Sequence, residues 1–132
     1  ARVLQQLGSQ HVLVVHGADG MDEISISGST YIAELKNGTV LEYLVQPQDF
    51  DLHAAPLDSI RVANADEART VLLSVLDNQR GPARDIVQLN AGAAIYVAGL
   101  TATLQEGVKK AKEVIASGAA KNKLEELVHI HI

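Results

Sequence analysis

Apolar and polar positions change their period near the middle of the chain. In the first half the apolar residues come in short runs or alternate. His11–Val15 is a β-branched apolar run and predicts a buried strand. Ile24-Ser25-Ile26-Ser27 alternates, which predicts a half-buried strand. Thr30–Lys36 and Thr39–Val45 flank Asn37-Gly38. Asn-Gly between two such runs predicts a hairpin, because both residues tolerate positive φ. Residues 46–56 carry two of the three prolines and predict a connection with little regular structure.

From residue 64 the period becomes helical. Asn64 and Glu67 have capping-box spacing, and Val71, Leu72, Val75 and Leu76 follow on one face. After Gly81-Pro82, residues 85–98 are Ala-rich and apolar nearly all round, which predicts a buried helix ending at Gly99. Thr103 and Glu106 form a second capping-box pair. Val108, Ala111, Ile115 and Ala116 line a face of that helix, with Lys109, Lys110, Lys112 and Glu113 away from it. Residues 119–128 predict a last helix with Leu124, Leu127 and Val128 facing inward. Strands first and helices after predict an α/β fold, with short strands and a hairpin packed under helices.

Composition narrows the partners. In 132 residues, 47% are apolar and only 3% aromatic, so the core is aliphatic. A net charge of -5 argues against a nucleic-acid backbone as partner, which needs a basic face. Cysteine is absent, which excludes disulfides and thiolate zinc sites and fits a reducing, cytoplasmic setting. No apolar run approaches the ~18 residues of a membrane span. The chain begins at Ala1 inside what reads as a helix end, residues 1–7 closed by Gly8, and the expectation is a piece of a longer protein.

The loop His16–Glu23 holds the best candidate chemistry. It follows a strand, where α/β ligand sites gather, and Gly17 and Gly20 permit close approach of a ligand. Asp22 and Glu23 are adjacent carboxylates. On a regular strand they would point to opposite faces. They can share a hard cation such as Mg²⁺ only on an irregular backbone; otherwise they read as a solvated pair. His16 is a candidate acid, base or ligand contact, or a hydrogen-bonded structural histidine. Asp19 reads as a turn residue. Ser25, Ser27, Ser29 and Thr30 are possible phosphate donors or a polar strand edge. His129 and His131 share a strand face if extended, but no third zinc ligand is evident. Lys109, Lys110, Lys112, Lys121 and Lys123 form a basic stretch that could attract a phosphate, but Glu113, Glu125 and Glu126 interrupt and follow it, so it reads as a solvated helix face.

The string from Val14 to Ser25 resembles the VVHG-x-x-G-x-DE-x-S segment of the anthranilate phosphoribosyltransferases. Thr30–Tyr43 is similar to the hairpin that follows it in that family, and Pro47-Gln48-Asp49-Phe50 to its P-x-D-F stretch. Asp85–Ala91, Leu104–Gly107 and Ser117–Ala120 resemble its later helices. Asp51 and Ser29 depart from the family pattern, where Gly and Pro are common; both lie apart from the acid pair in sequence.

The resemblance implies that residues 1–132 form the C-terminal portion of the larger α/β domain of a nucleoside-phosphorylase/phosphoribosyltransferase-like fold. It implies transfer of the 5-phosphoribosyl group from phosphoribosyl pyrophosphate to the amine of anthranilate, in tryptophan biosynthesis, with Mg²⁺ held by Asp22 and Glu23. It implies a cytoplasmic homodimer formed through a helical domain. That domain, the family's G-T-G-G-D phosphate loop and its anthranilate-binding Arg segment are not among these residues, so the piece alone is expected to be inactive. The alternatives are a non-catalytic binding module of the same fold and a pyrimidine nucleoside phosphorylase.

Overall fold

The computed structural model describes residues 1–130. Helix α1 (Arg2–Gln6) leads into strand β1 (His11–Gly17), and after a long loop come β2 (Thr30–Lys36) and β3 (Thr39–Val45). Two 3-10 turns, Pro47–Phe50 and Leu57–Ile60, precede α2 (Ala65–Leu76), α3 (Pro82–Val97), α4 (Leu104–Ala116) and α5 (Ala119–Val128). The fold is α/β, as the change of period predicts. Among the described residues no helix is long and apolar enough to cross a membrane.

The sheet has the order β1-β2-β3 and is antiparallel throughout. Asn37 and Gly38 both take positive φ, 51° and 75°, and close the predicted two-residue turn. In the resulting register Val15 pairs with Ile32 and Ile32 with Tyr43. These three side chains belong to the face that meets the helices. The opposite face leaves Val14, Tyr31 and Leu44 exposed. The run 11–15 is therefore half-buried rather than buried. It stands at the end of the sheet order and is covered on one face, so its apolar composition overstates its burial.

Residues 24–27 form no strand, contrary to the half-buried strand predicted. Their alternation is real but has another cause. Ile24 and Ile26, 2% and 0% exposed, insert into the core beside Phe50, Ile86 and Leu89. Ser25 and Ser27 turn the other way, toward Asp19.

The helices begin as their caps dictate. Thr103 accepts the Glu106 N–H while the Glu106 carboxylate accepts the Thr103 N–H, a complete capping box. At α2, Asn64 caps Glu67, but the Glu67 carboxylate reaches one residue further back, to the Ala63 N–H. Helix α3 starts at Pro82, where proline's missing N–H costs nothing. Its outer side is open at Val87, 41% exposed, so it is not buried all round. On α4, Val108, Ala111 and Ile115 are buried as expected, whereas Ala116 is exposed. Leu127 and Val128 of α5 are 64% and 71% exposed, contrary to the inward face expected. Helix α5 packs chiefly on α4 and α2, and Val128 borders a shallow, open hollow with Leu72 and Leu73 of α2. His131 lies outside the described residues.

Beneath α3 the sheet carries a polar cluster. The Glu34 carboxylate, in a residue 7% exposed, accepts from the hydroxyls of Tyr96 (2.6 Å) and Tyr43 (2.8 Å) and from His11 Nε2 (3.0 Å). The Tyr96 hydroxyl in turn accepts from Lys36 Nζ at 2.9 Å. Burial pushes the Glu34 carboxyl up, but its donors together hold it below the ordinary range.

Candidate functional site

The loop between β1 and β2 is built by its own side chains and glycines. Gly20 has φ +93°, a conformation that favours glycine, and the turn it permits lets the Gly20 N–H reach the Gly17 carbonyl at 2.9 Å. The Gly17 N–H donates to the Met21 carbonyl at 2.8 Å, and the Ala18 N–H to the Ser29 carbonyl at 2.9 Å. Asp19 is more than a turn residue. Its carboxylate accepts the Met21 N–H at 3.0 Å and the hydroxyls of both Ser25 and Ser27. Those hydroxyls, Ser25 first, hold the Asp19 carboxyl below its ordinary range. Thr30 Oγ1 accepts the Ser25 N–H at 2.9 Å. The Ser25 and Ser27 hydroxyls considered as phosphate donors thus donate to Asp19, while Thr30 Oγ1 serves the loop as an acceptor.

Asp22 and Glu23 sit on this irregular stretch, outside any strand, and both are exposed. The condition for two neighbouring acids to serve one cation, a broken strand geometry, is met. They lie at the rim of a cleft of about 700 Å³ lined by apolar side chains from α2, α3 and α5, including Val71, Val75 and Ile86. The pair is followed at once by Ile24, whose backbone is held from across the fold. The Asn90 carboxamide on α3 accepts the Ile24 N–H at 2.9 Å and donates to the Ile24 carbonyl at 2.9 Å. It also donates to the Ile86 carbonyl at 3.1 Å. Nothing in the local sequence pattern assigns Asn90 this contact. The available signal was an amide at helical spacing from Ile86, Ala93, Ala94 and Val97, an otherwise apolar face where a polar side chain needs a partner.

The other candidates stand apart from this pair. His16 stacks on its cross-strand partner Tyr31, ring centroids 6.4 Å apart, and lines the hollow on the open sheet face. His129 Nδ1 lies 2.6 Å from the Glu125 carbonyl of its own helix. Of the lysines, Lys112 donates to the Phe50 carbonyl at 2.8 Å, Lys121 pairs with Asp77, and Lys110 and Lys123 pair with Glu113 and Glu126. They form no common anion site. No group of three or more His, Cys, Asp or Glu placed to hold a metal occurs among the described residues.

Residues 1–121 match the model of the glycosyl transferase family, a/b domain. The chain belongs to that family. Within it, this glycosyl transferase a/b domain is 59% identical over 128 residues to the anthranilate phosphoribosyltransferase of Nitrosomonas eutropha, covering 97% of this chain and 38% of the relative. The chain therefore spans well under half the length of that protein. Among solved structures it is similar to the anthranilate phosphoribosyltransferase from Thermus thermophilus, with TM-score 0.83 and 38% identity over 93% of this chain and 36% of the other. It is also similar to the Saccharomyces cerevisiae enzyme in complex with PRPP and Mg, with TM-score 0.75 and 25% identity over 87% of this chain and 33% of the other. The resemblance read from the loop between residues 14 and 25 is borne out, and the comparisons favour it over the phosphorylase alternative.

Proposed function

We propose that this chain is the C-terminal portion of the α/β domain of an anthranilate phosphoribosyltransferase. The whole enzyme joins the amine of anthranilate to the 5-phosphoribosyl group of phosphoribosyl pyrophosphate, in tryptophan biosynthesis. The bond from ribose C1 to the pyrophosphate oxygen breaks as the C1–N bond forms, pyrophosphate leaves, and the amine gives up a proton to solvent. The observation that carries the reading is the exposed Asp22–Glu23 pair on an internally fastened loop, in a chain so similar to proteins of that name.

The pair fits Mg²⁺. Among the described residues neither carboxylate is tied into a hydrogen bond or ion pair that fastens the surrounding loop, so a hard cation would not have to displace one. Mg²⁺ needs only one or two carboxylates when waters and substrate phosphates complete its shell. Asp22 and Glu23 would hold it, and it would supply Lewis-acid neutralisation of charge on the leaving pyrophosphate. The chain's own residues shape and orient. Asp19 and the glycines fix the loop, and Ile24 and Ile26 anchor it in the core. Anthranilate's amine is already nucleophilic, so no general base is assigned, and positioning carries the acceleration. The reading includes a cytoplasmic homodimer formed through a helical domain outside residues 1–132.

The test is loss of anthranilate fluorescence on phosphoribosyl transfer. It compares this chain alone, the chain with its native upstream sequence, and the latter carrying Asp22→Ala and Glu23→Ala. Activity confined to the longer, unmutated protein supports the reading. Activity unaffected by the double substitution removes the metal assignment. A folded but inactive longer protein favours a non-catalytic module.

A further inference from the structure

We propose that Asn90 is a positioning residue for the Asp22–Glu23 pair: from helix α3 it fixes the backbone that presents the two carboxylates, and so sets their hold on Mg²⁺. The proposal rests on the reading of that pair as magnesium ligands.

A peptide unit is planar, so a hydrogen bond to its N–H or its C=O orients the whole unit. The unit joining Met21 to Asp22 is oriented by the Gly17 N–H, which donates to the Met21 carbonyl at 2.8 Å. The unit joining Glu23 to Ile24 is oriented by Asn90 Oδ1, which accepts the Ile24 N–H at 2.9 Å. Asp22 and Glu23 are the two residues between these planes. One anchor is local to the loop. The other comes from a helix 66 residues away in sequence.

The chemistry of the anchor is specific to a carboxamide. At Ile24 the chain has left the sheet, and both its N–H and its C=O need partners because the residue is buried. Asn90 supplies an acceptor for the first and a donor for the second, as a neighbouring strand would. Its remaining donor bonds the Ile86 carbonyl and fixes the amide's own orientation. An alanine provides neither partner. An aspartate keeps the acceptor and the shape but sets a carboxylate oxygen against the Ile24 carbonyl. Groups that orient metal-bound side chains without touching the metal change its affinity by roughly 10–100-fold when removed.

The experiment uses the full-length protein with Asn90→Ala, Asn90→Asp and, as reference, Asp22→Ala with Glu23→Ala. Binding of Mn²⁺, an EPR-visible stand-in for Mg²⁺, is measured in the presence of phosphoribosyl pyrophosphate. Amide exchange at Ile24, thermal unfolding and the Mg²⁺ dependence of transfer are followed alongside. The expected result is Mn²⁺ binding weakened at least ~10-fold in both Asn90 variants. The Mg²⁺ needed for half-maximal transfer rises by a similar factor, saturating Mg²⁺ restores most of the rate, KM for anthranilate stays constant, and Ile24 exchanges faster. Folded Asn90 variants that bind Mn²⁺ like the parent, beside an acid-pair variant that has lost it, overturn the positioning role and leave the metal reading standing. An acid-pair variant that still binds Mn²⁺ overturns the metal reading, and the proposal with it. Should Asn90→Ala not fold, the isosteric Asn90→Asp decides.

Discussion

Gly107 rests against the carbonyl of Gly92: a Cβ placed on Gly107 would stand 2.3 Å from that oxygen, and one placed on Gly92 would stand 2.5 Å from Val108 Cα. Helices α3 and α4 thus meet backbone to backbone. Glycine costs each helix about 1 kcal/mol relative to alanine, so at an open position Gly→Ala would stabilise. Here the neighbour is backbone and cannot rotate away. Gly107→Ala is expected to lower stability by roughly 1–3 kcal/mol, as overpacking does, read as a lower urea midpoint. A midpoint that stays or rises would show that the crossing yields easily.

The Glu34 cluster makes stability depend on acid. Glu34 titrates below its ordinary value of 4.5 in the fold. A carboxyl depressed on folding contributes stability above the unfolded value, and the contribution is lost as pH falls through the folded one. Resistance to unfolding by urea should therefore weaken below about pH 4.5, and less steeply in Glu34→Gln than in the parent. Equal slopes would remove Glu34 from the acid response. Glu34→Ala should cost more at neutral pH, since it leaves the Tyr43 and Tyr96 hydroxyls without their acceptor, roughly 1–3 kcal/mol for each that finds no water.

Helix α4 depends on its reciprocal cap. Replacing Thr103 with alanine removes the acceptor of the Glu106 N–H and should cost about 1 kcal/mol by thermal or denaturant unfolding. Serine at the same position should restore most of it. A loss equally large in Thr103→Ser would point to the methyl group instead of the cap.

Gly17 and Gly28 offer a matched pair of substitutions in one loop. A Cβ at Gly17 would come within 2.5 Å of Asp19 Oδ1, whereas one at Gly28 meets nothing within 4 Å. Gly17→Ala should displace the Asp19 carboxylate from Met21 and the two serines and raise the Mg²⁺ requirement of the full-length protein about 10-fold, on the scale of lost supporting contacts. Gly28→Ala should leave it unchanged. Identical Mg²⁺ titrations for the two variants would separate the Asp19 turn from metal binding.

Features that depend on neighbours in sequence were legible. Asn37-Gly38 announced its hairpin, Thr103 and Glu106 their cap, and residues 119–128 the extent of α5. The loop carrying Asp22 and Glu23 was legible as a motif. Relations that depend on contacts far along the chain were not. The alternation at residues 24–27 looks like a strand because a core-anchored loop places its isoleucines and serines on opposite sides too. Leu127 and Val128 have the pattern of an inward face, yet among the described residues nothing packs closely enough to bury them. Asn90 is an ordinary helical residue until Ile24 is brought beside it.

That separation has a consequence for the order in which the molecule assembles. The Asp19 turn joins residues no more than eight positions apart, and such contacts close quickly. The bond from Asn90 must wait until α3 docks on the sheet, a contact of high sequence separation. The loop should acquire its outline early and its acid pair its final setting late. In pulse-labelled refolding the Ile24 amide should gain protection together with α3, after the hairpin of β2 and β3. Under the proposed assignment of Asp22 and Glu23, metal added during refolding would then be held only after α3 has docked.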